Sequence, residues 1–479
     1  MRLKVTGGLL ALALVLSGCA GIPKSSEVYF GEEISEDTSA QFVRVIARPT
    51  SAGMTPEEIV RGFLDACADP SENYGIARQY LEVASAGNWN PLTGIEIYEA
   101  TTIEVAGDPP ALTVSAGKLG TISDLGRYQS GDPGAQVSRT FELTQDASGQ
   151  WRIANLSDGI LLSSGDVDRS FRSFPIYFFN TELTSLVTDN VLVPVSNSGA
   201  ATSLVRSLLD GPSPYLSPVA TSAFPVGTTL TYGSVPITNG IAQVDLSNEI
   251  LGADEVTRRA LSAQLVWTLN VLPNVSAVQI SVSGQPLALS NIGALQTIQD
   301  WQDLSTLPNS QLQTLNVIRN EEIYSVATDV ENLKYIAPAS LVFATPNLAG
   351  SQIATVTADR KSLQVTNSSE SKFEIVAQGN QISKPTWDSE GNIYFSDFGQ
   401  GVSEVTRDRS LRPVSVDAST LGTSDQVKQV VVSSDGVRVA VVLSNGIQDV
   451  VAVGAIFKTD SETRIIGLHR IERSITSVR

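Results

Sequence analysis

In this 479-residue chain only Cys19, Cys67 and His469 belong to the types that usually serve as soft nucleophiles or transition-metal ligands. A Ser-His-Asp or Cys-His arrangement needs a histidine in a formed cleft, and a catalytic zinc usually needs two or three. The one histidine lies in "IIGLHRIERS", which reads as a strand or its edge, so His469 is expected to be half-exposed and ordinary. Cys67 ends "TPEEIVRGFLDACA". There Thr55 and Glu58 form a capping-box pattern with Pro56 at the first helical position. Ile59, Phe63 and Cys67 recur at helical spacing, which makes Cys67 a buried structural thiol rather than a nucleophile. No Walker loop, dinucleotide fingerprint or EF-hand spacing occurs, and no cofactor is expected. The 50 acidic residues against 32 Lys and Arg give a net charge of −18, so nucleic acid is not an expected partner. A carboxylate-based hydrolase is the one enzyme class this composition leaves open.

Cys19 raises a different chemistry. Arg2 and Lys4 precede an uncharged apolar run from Gly7 to Leu16, and the small pair Ser17-Gly18 leads into Cys19. The layout is that of a secretory signal peptide, too short for a comfortable membrane span. Its end, Leu16-Ser17-Gly18-Cys19, resembles the lipobox of bacterial lipoproteins. The resemblance implies cleavage before Cys19, which becomes an N-palmitoyl and S-diacylglycerol cysteine. Each buried CH₂ contributes about 0.8 kcal/mol, so several acyl chains hold a protein stably at a bilayer. The expected location is the extracytoplasmic face of the cell membrane, on a lipid anchor. Loss of Arg2 and Lys4 with the leader takes the charge from −18 to −20. Residues 19–40 then read as an acidic, flexible tether with too little apolar content to order itself.

The elements beyond it divide into blocks. Residues 41–170 begin with the capped helix and a second helix around "NYGIARQYLEVASAGNW", followed by strand-like runs. "FELTQDASGQWRI" among them is a hairpin signal. Helices followed by antiparallel strands indicate an α+β domain. In residues 174–290, "FPIYFF" is an apolar strand and "AATSLVRSLLDGPS" a helix stopped by Gly211-Pro212. Asn239-Gly240 marks a hairpin. The longest helix, in "DEVTRRALSAQLVWTLNVLPNV", is expected to bury Val256, Ala260, Ala263, Trp267 and Leu269 to Leu272. Residues 291–335 form a connection. In residues 336–479 three segments place Gly350, Gly391 and Gly436 after a turn residue and before an alternating strand. Their spacing is that of four-stranded propeller blades, with a plain β-sandwich as the alternative reading.

The blocks "LLDGPSP", "SAFPVGTTL", "IAQVDLS", "QLVWTLN" and "VQISVSGQP" resemble the signature of the GerMN domain. With the lipobox before them and the repeats after them, the chain resembles the actinobacterial lipoprotein LpqB family. The implied architecture is multidomain: an N-terminal α+β domain, an α+β GerMN domain, and an all-β, propeller-like C-terminal region. Roughly three blades are legible in this last region, where closed propellers have four to eight, so it is expected to be incomplete. The family resemblance implies a non-enzymatic accessory role, contacting the extracellular domain of a Mtr-type sensor histidine kinase and modulating two-component signalling in envelope homeostasis. The alternative is a lipoprotein that binds a cell-wall glycan, with Trp387 and Tyr394 near its binding face. Against that alternative, Trp387 is expected to pack between blades.

Overall fold

In the computed structural model, described residues run from 47 to 471, apart from 133, 196–198, 305–314, 320–321, 327–332, 339, 368–371, 422–425 and 460. Leu16, Ser17, Gly18, Cys19, the leader and the tether lie outside the described residues.

The first domain opens with α1 (Pro56–Ala66), and its capping box is complete. Thr55 N donates to Glu58 Oε2 at 2.7 Å, while Glu58 N donates back to Thr55 Oγ1 at 3.3 Å. The second expected helix is two short ones, α2 (Ser71–Arg78) and α3 (Val83–Asn88). A tertiary demand breaks it, because Leu81 between them forms a bridge with Ile153. The strands are β1 (Ile95–Tyr98), β2 (Glu104–Ala106), β3 (Ala111–Ile122), β4 (Tyr128–Ser130), β5 (Gln136–Gln145), β6 (Trp151–Asn155) and β7 (Ile160–Ser163). They form one sheet of order β6-β5-β3-β1-β7, with β2 and β4 also paired to β3. The α1 face carrying Ile59, Phe63 and Cys67 packs on this sheet with Phe141, Ile153 and Leu161. A short α4 (Ser164–Ser170) leads out of the domain.

The second domain begins with a long hairpin, β8 (Phe171–Asn180) and β9 (Leu186–Pro194), joined by β10 (Ala220–Thr221). It continues through α5 (Ala200–Asp210), β11 (Ile237–Thr238), β12 (Ile241–Leu246), α6 (Glu255–Leu269), β13 (Ala277–Val282), β14 (Gln285–Pro286) and β15 (Leu295–Gln296). The expected hairpin at Asn239-Gly240 forms, with φ of 52° and 79°, values that need Asn and Gly. Helix α6 is enclosed from Ala260 to Leu269, whereas Val256, expected on its buried stripe, is 64% exposed at the first turn. The core ends before that turn, so helical spacing alone places Val256 wrongly. The segment read as a connection is partly integral to this domain. β15 pairs with β13, and Trp301 is buried against the same core, where its carbonyl accepts Trp267 Nε1 at 3.3 Å.

Antiparallel meanders follow. The first is β16 (Leu315–Arg319), β17 (Glu322–Val326) and β18 (Leu333–Pro338), most of it inside the expected connection. The second is β19 (Leu341–Pro346), β20 (Gln352–Thr357), β21 (Ser362–Asn367) and β22 (Glu374–Gln378). The third is β23 (Thr386–Trp387), β24 (Ile393–Asp397), β25 (Gly401–Val405) and β26 (Leu411–Val416). The fourth is β27 (Gln426–Val432), β28 (Arg438–Ser444), β29 (Asp449–Lys458) and β30 (Thr463–Arg470). The repeat glycines occupy one structural position, the turn between a blade's first two strands. There Gly350, Gly391 and Gly436 have φ of 67°, 87° and 73° and donate to Asn347, Asp388 and Ser433 carbonyls. The third and fourth blades do more than stack. β26 pairs with β30 in parallel, giving an eight-stranded sheet that curls until Ser396 Oγ on β24 donates to Lys428 O on β27 at 2.9 Å.

Candidate functional site

The three regions meet around a cleft of about 1760 Å³. One wall comes from the first domain, where β1, β3 and the Ser123–Arg127 turn present Glu96, Thr121 and Arg127. A second comes from Asp189 and Asn190 in the middle of β9 and from Ser213 to Tyr215. The third is the last blade, with Val431, Ala440, Val453 and His469.

The joints are built from specific hydrogen bonds. The Leu125–Arg127 turn plugs into the second domain: Leu192 N donates to Gly126 O at 2.8 Å, and Ser207 Oγ donates to Leu125 O at 2.7 Å. Gly126, with φ of 77°, has no room for a Cβ, which would lie 2.4 Å from Leu192 O. The Arg127 guanidinium donates to Asp189 Oδ2 at 3.1 Å, to Ser207 O at 3.0 Å and to Gly211 O. It thus sits at the C-terminal end of α5, where free carbonyls and the helix dipole favour a cation. The second domain is fixed to the last blade in turn. Tyr215 OH donates to Gly454 O at 2.5 Å, and Arg438 donates to Thr188 O and Oγ1 at 2.7 and 2.8 Å. Burial pushes the Tyr215 hydroxyl up to about 12, so it remains a donor. The core of the second domain runs on into Val437 and Ala455 of that blade.

The charges in the cleft are mostly matched within the protein. Glu96 lies 2.9 Å from Lys118 Nζ and 3.0 Å from Arg139 Nε. Burial raises its pKa, but the two cations outweigh that effect and hold the carboxyl below its ordinary value. Arg438 pairs with Asp435 at 2.5 Å.

The residues singled out in sequence fall into three places. His469 lines the cleft on β30, edge-on to Tyr215 with ring centres 5.5 Å apart, and its side is exposed. Cys67 is buried at the end of α1, and burial pushes its thiol well above its ordinary range, which leaves no thiolate for attack. Trp387 is 5% exposed and its Nε1 donates to Thr345 O of the preceding blade at 2.9 Å. Tyr394 is fully buried. Neither aromatic offers a face to a glycan. Among the described residues no group of three or more His, Cys, Asp or Glu is arranged to hold a metal ion, and no helix is long and apolar enough to cross a membrane.

Sequence reasoning missed a second cluster, in the seam between the third and fourth blades. Lys458 Nζ lies 2.8 Å from Asp388 Oδ2, 3.3 Å from Glu390 and 3.9 Å from Glu404. Tyr394 OH donates to Glu404 Oε1 at 2.9 Å, and Thr463 Oγ1 donates to Glu404 Oε2 at 2.6 Å. Burial works against the Lys458 charge, but the three carboxylates outweigh it and raise its pKa. Its two nearest partners, Asp388 and Glu390, are 70 and 68 positions away in the chain, so no local signal could have found it.

Comparison with known proteins places these regions. Family models match in succession: the LpqB N-terminal domain over residues 49–168, a sporulation and spore germination domain over 175–288, and the LpqB beta-propeller domain over 328–470. Lipoprotein LpqB of Thermobifida fusca is 30% identical over 425 residues, covering 84% of this chain and 67% of that protein. The chain belongs to the lipoprotein LpqB family. Its relative from Cutibacterium acnes is 26% identical over 398 residues, covering 79% and 67%. The Streptomyces avermitilis relative is 33% identical over 282 residues, covering 54% of this chain and 45% of its own length. Among solved structures, the tandem GerMN domains of the sporulation protein GerM from Bacillus subtilis match at 19% identity and a TM-score of 0.23, over 33% of this chain and 56% of that one.

Proposed function

We propose that the protein is a lipid-anchored, extracytoplasmic accessory protein, tethered through Cys19, that modulates a Mtr-type sensor histidine kinase by binding rather than by chemistry. The observation that carries this reading is the cleft itself. Side chains from three regions converge on it, and its principal half-buried charges are engaged within the protein: Glu96 with Lys118 and Arg139, Arg127 with Asp189, and Arg438 with Asp435. Carboxylates held in ion pairs are poorly placed for acid–base work, whereas a rigid, multi-walled recess suits recognition. The family's description as a lipoprotein supports the anchor. The glycan-binding alternative loses its two aromatics, since Trp387 and Tyr394 are both buried.

The test is release of the full chain from membranes in mild detergent, with identification of what co-purifies, beside Cys19→Ala. A sensor kinase recovered with the wild type and depleted with the variant supports the proposal. Recovery of peptidoglycan fragments alone overturns the kinase reading. A Cys19→Ala protein that stays membrane-bound and processed overturns the anchor.

A further inference from the structure

One strand in the cleft has an open side. Among the described residues β4 pairs with β3 alone, in the register Gly120–Ser130, Thr121–Gln129 and Ile122–Tyr128. Ser123 N donates to Arg127 O and Gly131 N to Leu119 O, each at 2.9 Å. In an antiparallel ladder this parity turns the backbone groups of residues 127, 129 and 131 toward β3. The N–H and C=O of Tyr128 and Ser130 therefore point the other way, along an edge that no strand of the sheet covers. All three residues of β4 are exposed, and all three line the cleft.

The last blade supplies another wall of the cleft. Val431 pairs with Ala440, Ala440 with Val453, and Val453 with His469, so the four form one row across β27, β28, β29 and β30. Their neighbours Val430, Val441 and Ala452 point into the blade core. The row points outward, Val431 is 49% exposed, and every member lines the cleft. The nearby half-buried charges are already paired: Glu96 with Lys118 and Arg139, Asp189 with Arg127, Arg438 with Asp435. The remaining charged groups in the cleft, Asp132, Asp158 and Arg470, are exposed to water. A charged ligand would find no desolvated countercharge. The volume exceeds the roughly 300–1,000 Å³ of ordinary small-molecule pockets.

We infer that the cleft receives an extended, uncharged polypeptide segment of a partner protein, which adds as a strand to the open edge of β4 and lays alternate side chains on the Val431–Ala440–Val453 row. Strand addition supplies what these walls lack: backbone partners for Tyr128 and Ser130, and small apolar side chains for the row. The inference does not rest on the kinase reading or the anchor, and it holds whichever protein donates the segment.

The test selects phage-displayed random dodecapeptides on the full chain, then measures the binding of the recovered peptides to the wild type, Ser130→Pro and Val431→Glu. Proline at 130 removes only an outward N–H, so the β3–β4 pairing survives. Val431 is half-exposed, so a charge there leaves the core intact; melting curves check both variants. Expected are peptides rich in β-branched residues and poor in charge, at least tenfold weaker on each variant, which slow amide exchange at Tyr128 and Ser130 in the wild type. Peptides that bind both variants as tightly as the wild type, or no enrichment at all, overturn the inference. A self-association lost in both variants would assign the cleft to a second copy, and N-acetylchitotetraose binding lost in both would assign it to a glycan; each also overturns it.

Discussion

In the second domain α6 is enclosed from Ala260 to Leu269 by β8, β12 and β13, almost wholly with apolar side chains. Two polar side chains inside it serve the backbone. Gln264 accepts from Ala223 N at 2.6 Å and donates to Tyr177 O at 2.8 Å, and Thr268 Oγ1 accepts from Tyr177 N at 3.1 Å. The seam between the last two blades buries Asp388, Glu404, Tyr394 and Thr463 and leaves Lys458 half-buried and Glu390 exposed, and its centre is ionic: Lys458 among Asp388, Glu390 and Glu404, with Tyr394 and Thr463 bonded to Glu404. The first interior is built by covering surface, where energy scales with area and shape. The second is built by matching charges that were costly to bury, and its geometry specifies which blade meets which. A domain that must only stay folded can use the first means. A joint between blades of the same strand order gains from the second, because matched charges distinguish faces that apolar packing alone treats alike.

The comparison can be broken by mutation. The largest effect is expected for Phe178→Ala in the apolar interior, about 3–5 kcal/mol, read by urea unfolding followed through tryptophan fluorescence. A loss below about 1 kcal/mol would mean that this interior is loosely packed. Next is Lys458→Met, which strands Asp388 and Glu404 and should cost about 3 kcal/mol by thermal unfolding. Adding Asp388→Asn and Glu404→Gln should restore most of that loss. If the triple variant is no better than the single, the seam is held by packing and not by charge matching. Arg438→Ala, which loses both bonds to Thr188 and the ion pair with Asp435, should cost about 1.5–2 kcal/mol and speed amide exchange in β9 and β28.

The smallest effects concern pH, and their signs differ between the two kinds of site. The folded pKa of Glu96 is lowered, so its contribution is present above the unfolded value of about 4.3 and is lost as pH falls through the folded one. Melting temperatures of Glu96→Gln should therefore fall less steeply than those of the wild type on acidification below about pH 4.3. The folded pKa of Lys458 is raised, so its contribution is present below the unfolded value of about 10.4 and is lost as pH rises through the folded one. Lys458→Met should flatten the alkaline limb above that value and leave neutral pH to the stability loss already described.

Local chemistry was legible wherever a short stretch is sufficient. The Thr55–Glu58 box, the Asn239-Gly240 turn, the buried Cys67 and the three blade glycines each need only neighbours within a few residues, and each is found where its pattern placed it. The failures share a cause. The helix read across residues 73–89 is cut because Leu81 is required by a strand 70 positions later, and Val256 is exposed because the core stops one turn short of it. The segment 291–335 reads as polar connection, yet Trp301 and β15 belong to a core whose other members lie far away in sequence.

Sequence by itself determined the anchor motif as a chemical pattern, the capped first helix, the Asn239-Gly240 hairpin, the blade repeat and the absence of a familiar cofactor fingerprint in the chain's motifs. These follow from periodicity, turn stereochemistry and residue type, which act over one or two turns of chain. Only the tertiary structure decided that three regions share a cleft, that Arg127 crosses from one domain to the end of a helix in another, and that β4 and the Val431 row line the same cleft. Those facts depend on contacts between residues up to about 250 positions apart, such as Arg438 and Thr188, and no local preference in the chain encodes the meeting of two such distant points.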